Sequence, residues 1–268
     1  MHAYVKQLVS SVVVVAAGVA TAGAQTLAER VAAVGSGTVR FEFASREGVC
    51  GNGRGSISIR GTDGTASARG TTVSVTRRGE WEDDCEPGPV RVALDVERRE
   101  VQDIRAYVGG RWRGGADRDL GVVSAVEASR FLVNLAATGA RGAAKDAIFP
   151  AMLADAPDPW RDFLRIAKDD TRPRDVRNSA TFWVAHAAER EAVKGLEEIV
   201  EDEGDREVRK SAIFAISRRP ADESVPTLIR VARTHRDPEI RKSAIFWLGQ
   251  SKDPRALRYF EEVLLGAR

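Results

Sequence analysis

Between Arg174 and Gln250 one phrase is written three times: Asp175-Val-Arg-Asn-Ser-Ala-Thr-Phe-Trp, Glu207-Val-Arg-Lys-Ser-Ala-Ile-Phe-Ala and Glu239-Ile-Arg-Lys-Ser-Ala-Ile-Phe-Trp, each 32 residues after the last. A fixed period of this size constrains the fold to a solenoid, in which one supersecondary unit stacks on the next to bury a core that no unit buries alone. The same period runs through a second set of positions. Leu164, Leu196, Leu228 and Phe260 form one column, and Ala167, Ile199, Val231 and Val263 form another. Each unit is therefore a helix pair. Asp205 and Asp237 stand at the cap of second helices, with Pro238 tolerated at the first helical position. Pro254 to Leu265 reads as a last, unpaired helix that closes the stack. Upstream, Val126, Phe131, Leu132 and Leu135, then Ala147, Ile148, Met152 and Leu153, mark a first pair slightly off register, as terminal units commonly are.

A helical wheel at about 100° per residue sorts the repeated columns. Val176, Ala180, Trp183 and Val184 share one stripe with Val208, Ala212, Ala215 and Ile216, and with Ile240, Ala244, Trp247 and Leu248. These are packing positions. Phe182, Phe214 and Phe246 fall away from that stripe, beside Asn178, Lys210 and Lys242. Two readings stay open for them. Large aromatics are seldom left in water, which favours the seams between repeats and leaves Lys210 and Lys242 as the exposed contacts. The wheel instead favours an aromatic and basic strip suited to a partner peptide or helix.

Ahead of the helices the period changes to two. Leu27, Val31 and Val34 suggest a short helix ended at Gly35-Ser36-Gly37. Then Val39, Phe41 and Phe43, Ile57 and Ile59, Val73 and Val75, Val90 to Val96, and Ile104 to Val108 alternate with polar residues, predicting five half-buried strands. Gly51-Asn52-Gly53, Gly61 to Gly64, Pro87-Gly88-Pro89 and a tight connection near Arg98 to Glu100 supply the turns. A small antiparallel sheet is expected. Gly109 to Gly121 reads as a hinge-like linker. The expected fold class is α+β, with a leader over 1–24, a sheet domain over 25–121 and an all-α solenoid over 122–268.

The leader is expected from Lys6, a Val- and Ala-rich run from Leu8 to Ala20, and the small-residue site Ala22-Gly23-Ala24. An apolar core of about a dozen residues is short of the roughly 20 that a spanning helix needs, so cleavage rather than membrane anchoring is expected. Two cysteines, Cys50 and Cys85, in an exported chain favour a disulfide and a periplasmic or secreted location. Glu80, Glu82, Asp83, Asp84 and Glu86 crowd around Trp81, but without the alternating order of a calcium loop, so a solvated acidic loop is expected there. No metal site or cofactor is expected. Residues 25–120 carry 15 Arg and 15 acids, and the formal net charge of the whole chain is +2. Totals this even show no basic asymmetry of the kind nucleic acids need, which leaves only a local patch made by the fold, and no nucleic-acid partner is expected.

The D-x-x-[VI]-R-x-x-A core, with Val225-Pro226-Thr-Leu-Ile and Asp253-Pro254-Arg-Ala-Leu, resembles HEAT repeats, in particular the short HEAT-like repeats of phycobilisome lyases. The resemblance covers roughly half the chain and implies a stack whose second helices line an inner wall used mostly for protein recognition. Ladders of acids and arginines stitch such repeats together. Asp175 and Arg177 lie nearly opposite on one helix, which suggests pairing across repeats, Arg177 with Glu207 and Arg209 with Glu239. Arg241 belongs to the same structural column. Lys194, where the pattern has a proline, departs from it. Nucleophile, zincin and P-loop motifs are missing, and His186 and His235 read as packing or surface histidines. The expected function is a non-catalytic, exported scaffold of the bacterial envelope that binds a protein or peptide. The resemblance also admits a lyase or chaperone-like accessory.

Overall fold

A computed structural model of the chain describes residues 25–53, 56–60, 64–68, 71–76, 85–186 and 191–266. The leader and most of the acidic loop around Trp81 lie outside them. The order begins with α1 (Leu27–Ala32), β1 (Gly37–Phe43), β2 (Val49–Gly51), β3 (Ser56–Arg60), β4 (Gly64–Ala68), β5 (Thr71–Thr76), β6 (Val90–Glu97), β7 (Glu100–Val108) and β8 (Arg118–Val122). The expected initial helix is α1, closed by a capping box in which Thr26 and Glu29 satisfy each other's backbone N–H.

Among the described residues two four-stranded sheets form, ordered β7-β6-β1-β8 and β2-β3-β5-β4. Most pairs are antiparallel, while β1/β8 and β3/β5 run parallel. The alternation in β1 is realised as expected: Val39, Phe41 and Phe43 are buried, and the polar residues between them are half-exposed. The five expected strands are β1, β3, β5, β6 and β7. Short β2, small-residue β4 and polar β8 have no apolar alternation to announce them.

The Gly109 to Gly121 run is not a hinge-like linker. Gly109 and Gly110 have φ of 73° and 62°, and Gly53 packs so closely that a Cβ built on it would meet Gly110 Cα at 2.7 Å. Trp112 lies edge-on to Tyr107 and under Arg40, and the Tyr107 hydroxyl accepts a hydrogen bond from Arg113 N–H. Arg118–Val122 then joins the sheet as β8. Glycine richness here serves close backbone approach rather than flexibility.

The helices are α2 (Ala125–Thr138), α3 (Arg141–Leu153), α4 (Trp160–Lys168), α5 (Arg174–Val184), α6 (Glu191–Asp202), α7 (Arg206–Ser217), α8 (Ala221–Thr234), α9 (Pro238–Gln250) and α10 (Pro254–Gly266). They pack as pairs, α2/α3 through α8/α9, with second helices α3, α5, α7 and α9 in one row and first helices α2, α4, α6, α8 and α10 in the other. Asp205 and Asp237 cap α7 and α9 by accepting from Glu207 and Glu239 N–H, and Pro238 opens α9. Ala180, Ala212 and Ala244 are fully buried at equivalent places.

The first pair differs because it has two neighbours. Helix α3 is apolar on nearly every side from Ala143 to Leu153 and packs on both α5 and β7. Backbone bonds from Arg46 N–H to Leu153 O (2.8 Å) and from Asp155 N–H to Ala44 O (2.9 Å) join its end to the chain after β1. The hydrophobic core therefore runs without a break from the sheet into the stack.

Candidate functional site

The wall built by α5, α7 and α9 brings the repeated phrase into register. Arg177 and Arg209 bind across repeats, but not to Glu207 and Glu239. Arg177 pairs with Glu203 at the turn before α7, and Arg209 Nη2 lies 3.5 Å from the cap residue Asp237. A second ladder runs beside this one: Arg141 reaches Asp175 (3.0 Å), Arg174 reaches Asp205, and Arg206 reaches Asp237 (3.0 Å). The expected partners were displaced by local geometry. Glu207 and Glu239 sit in the first turn of their helices, one turn from Lys210 (3.2 Å) and Lys242 (2.7 Å), and pair with those lysines instead. Arg241 donates to the carbonyls of His235 (2.7 Å) and Arg236 (3.2 Å).

The ladder leaves its mark on acidity. Burial pushes the Asp205 carboxyl up, but hydrogen bonds from Arg174 and Glu207 N–H outweigh it and hold the group below its ordinary value. Asp237 is lowered first by the Glu239 N–H bond and then by Arg206. Asp253, gripped by Arg255, is lowered to about 2.

The aromatic column resolves into a gradient rather than a choice. Phe149 and Trp183 are buried and stacked at 5.2 Å. Phe182 lies edge-on to Trp183, stacks on Phe214 at 6.1 Å, and is half-buried. Phe214 meets Trp247 at 4.9 Å and is also half-buried, while Phe246 rests edge-on against Trp247 and is exposed. One continuous file of rings thus crosses the repeats and opens toward α9. Beside it, Asn178 is half-buried with its Oδ1 lacking a hydrogen-bond partner among the described residues. The wheel could not see this file as continuous because Trp183 and Trp247 belong to the packing stripe and reach the Phe rings from behind.

Both histidines are structural. His235 is buried; Asp237 N–H donates to its Nδ1 at 3.0 Å, which leaves Nε2–H to donate to Val200 O at 3.1 Å. His186 is half-buried against Phe182 and Trp183, with Nδ1 3.1 Å from Phe182 O. Burial lowers its basicity, so it is neutral at pH 7. Sequence reasoning missed Glu203, although the 32-residue column holding Thr171, Glu203 and His235 is polar in each repeat. Among the described residues, no group of three or more His, Cys, Asp or Glu is placed to hold a metal ion. Nor is any described helix long and apolar enough to cross a membrane. Cys50 and Cys85 form a disulfide with Cα atoms 5.3 Å apart.

Comparison with protein families matches residues 193–267 to HEAT repeats. That match and the run of paired helices support a HEAT-repeat protein. Comparison with curated proteins found no match.

Proposed function

We propose that this protein is an exported, non-catalytic scaffold of the bacterial envelope that holds a protein or peptide on its second-helix wall. The contacts would be Phe182, Phe214 and Phe246, with Asn178, Lys210 and Lys242 around them. The observation that carries this reading is the ring file, part-open to solvent, on a class of repeat generally used for protein interaction. Half-exposed aromatic rings supply large contact area at low entropic cost, which is why they dominate interaction hot spots. Lys210 and Lys242 already hold Glu207 and Glu239, so the flanks are polar without net charge, which suits a protein better than a nucleic acid.

Export is supported by the leader pattern over residues 1–24 and by the Cys50–Cys85 bond, since disulfides persist in oxidising compartments. In this reading residues 25–121 carry the disulfide-clipped sheets and residues 122–268 the binding stack, in the periplasm or outside the cell. The test is affinity capture from an envelope fraction with the wild-type protein and with Phe214→Ala. The expected result is one recovered protein whose yield falls at least about tenfold with the variant. Equal recovery by both would remove the ring file as the binding surface.

A further inference from the structure

One charged group beside the ring file has no partner among the described residues. Phe182, Phe214 and Phe246 each have a polar residue one helical turn further on: His186, Arg218 and Gln250. Residues four apart lie on one helical face, and Arg218, although it caps α7, keeps helical dihedrals of φ −85° and ψ −10°. It is half-buried. His186 packs against the Phe182 ring at 4.8 Å, and burial first, then the positive charges of Arg218 and Arg219, lower its basicity. Arg218 therefore stands close to the middle of the file, beside a neutral imidazole.

The other basic residues of this wall are already held. The ladder arginines reach Asp205, Glu203 and Asp237, the two lysines hold glutamates of their own helices, and Arg241 donates to carbonyls. Arg219, the next residue along, is buried and pairs with Glu223 at 2.8 Å. Among the described residues of α5, α7, α9 and their caps, only the Arg218 guanidinium has neither a hydrogen bond nor an ion pair. The acids are taken as well: Asp175, Asp205, Asp237, Glu207 and Glu239 each have a cation. No carboxylate of these helices is left to fold back onto Arg218.

A guanidinium presents a planar fork of donors that matches a carboxylate, and beside packed rings that pairing is screened less than in open water. Position narrows the choice further. The file continues on both sides of Phe214, to Phe182 through a stack at 6.1 Å and to Trp247 at 4.9 Å, so a ligand lying on the rings runs past Arg218 in both directions. That suits a carboxylate inside a segment rather than at its end. A lone cation also suits one carboxylate better than a phosphate group, which draws clusters of arginines, or a nucleic-acid strand, which needs a row of cations.

We infer that the ligand of the second-helix wall is an acidic peptide segment, whose apolar side chains pack on Phe182 and Phe214 while an internal Asp or Glu between them bonds Arg218. This rests on the reading that the ring file is the binding surface.

Selection on the immobilised protein from random peptides of about twelve residues, displayed with their C-termini fused to the carrier, tests it. The recovered sequences should carry Asp or Glu flanked by Leu, Phe or Trp. A synthetic peptide of the commonest sequence should lose at least about tenfold in affinity on Arg218→Gln, and as much when its acid is changed to the amide. The amide peptide should bind both proteins alike, which shows that the two losses are one contact. Should Arg218→Gln fail to fold, Arg218→Lys and the amide peptide still read that contact. Peptides lost with Phe214→Ala that show no preference for acids, or that bind Arg218→Gln as well as wild type, would overturn the inference and leave the ring file as a binding surface. Peptides indifferent to Phe214→Ala, or no enrichment at all, would overturn both. A single-stranded oligonucleotide of about twelve nucleotides that outbinds the selected peptides at physiological salt, and is lost with Arg218→Gln, would overturn it in favour of a nucleic acid.

Discussion

Arg177 and Glu203 form an ion pair whose side chains are 5% and 9% exposed, joining α5 to the turn ahead of α7. The Arg177 Nε–H also donates to Ala167 O at 3.0 Å, and Glu203 Oε1 accepts from Asp205 N–H at 2.8 Å. One buried pair therefore ties three helices and a cap together. Removing one partner of such a pair strands the other charge, at a cost of about 3–5 kcal/mol. Glu203→Ala should lower stability by that amount in urea unfolding. The double variant Arg177→Met/Glu203→Leu should lose less than Glu203→Ala, because it leaves no charge unpaired.

The ring file predicts a graded response to truncation. Phe246→Ala, at the open end, should cost less than about 1 kcal/mol, as surface changes do. Phe182→Ala and Phe214→Ala, each half-buried, should cost about 2 kcal/mol, below the 3–5 kcal/mol of a fully buried ring. Thermal melts of the three single variants check the order. Equal losses at all three positions would contradict the gradient.

The β6–β7 hairpin turns on Arg98 and Arg99, both left-handed at φ 51° and 68°. Residues with a Cβ pay about 1–2 kcal/mol for that conformation, and Asn-Gly is the pair that suits it. The turn is held by Arg99 N–H to Gly35 O (2.7 Å) and Arg98 N–H to Ser36 Oγ (3.2 Å), both backbone donors that substitution preserves. Arg98→Asn/Arg99→Gly should raise stability by about 1 kcal/mol, read as a higher melting temperature.

Acid should loosen the stack in two stages. His186 has a folded pKa below its ordinary 6.5, so the unfolded state binds the proton more readily and stability falls as pH drops through that value. Asp205, Asp237 and Asp253 are depressed below their ordinary 3.8. Their contribution is full above that pH and is lost below it, reaching down to about pH 2 for Asp253. Melting temperature against pH should show both steps. Asp237→Asn keeps a cap acceptor but removes the charge, and should flatten the lower step without abolishing the fold.

The sequence by itself determined the repeat, its helix pairs, the caps at Asp205 and Asp237, and the buried Ala180, Ala212 and Ala244, because these follow from periods and cap chemistry that operate within a few residues. Alternation likewise exposed β1, β3, β5, β6 and β7. Only the tertiary structure decided the partners of Arg177 and Arg209, since a first-turn glutamate has a lysine one turn away on its own helix and a distant arginine must find another acid. It also decided that Gly109 to Gly121 is folded onto the sheet, because glycine permits close approach and flexibility alike and only the neighbour at Gly53 selects between them. The ring file is a third such case. Each Phe looks identical in the repeat, yet its exposure depends on which rings of neighbouring helices reach it, and no local pattern encodes that.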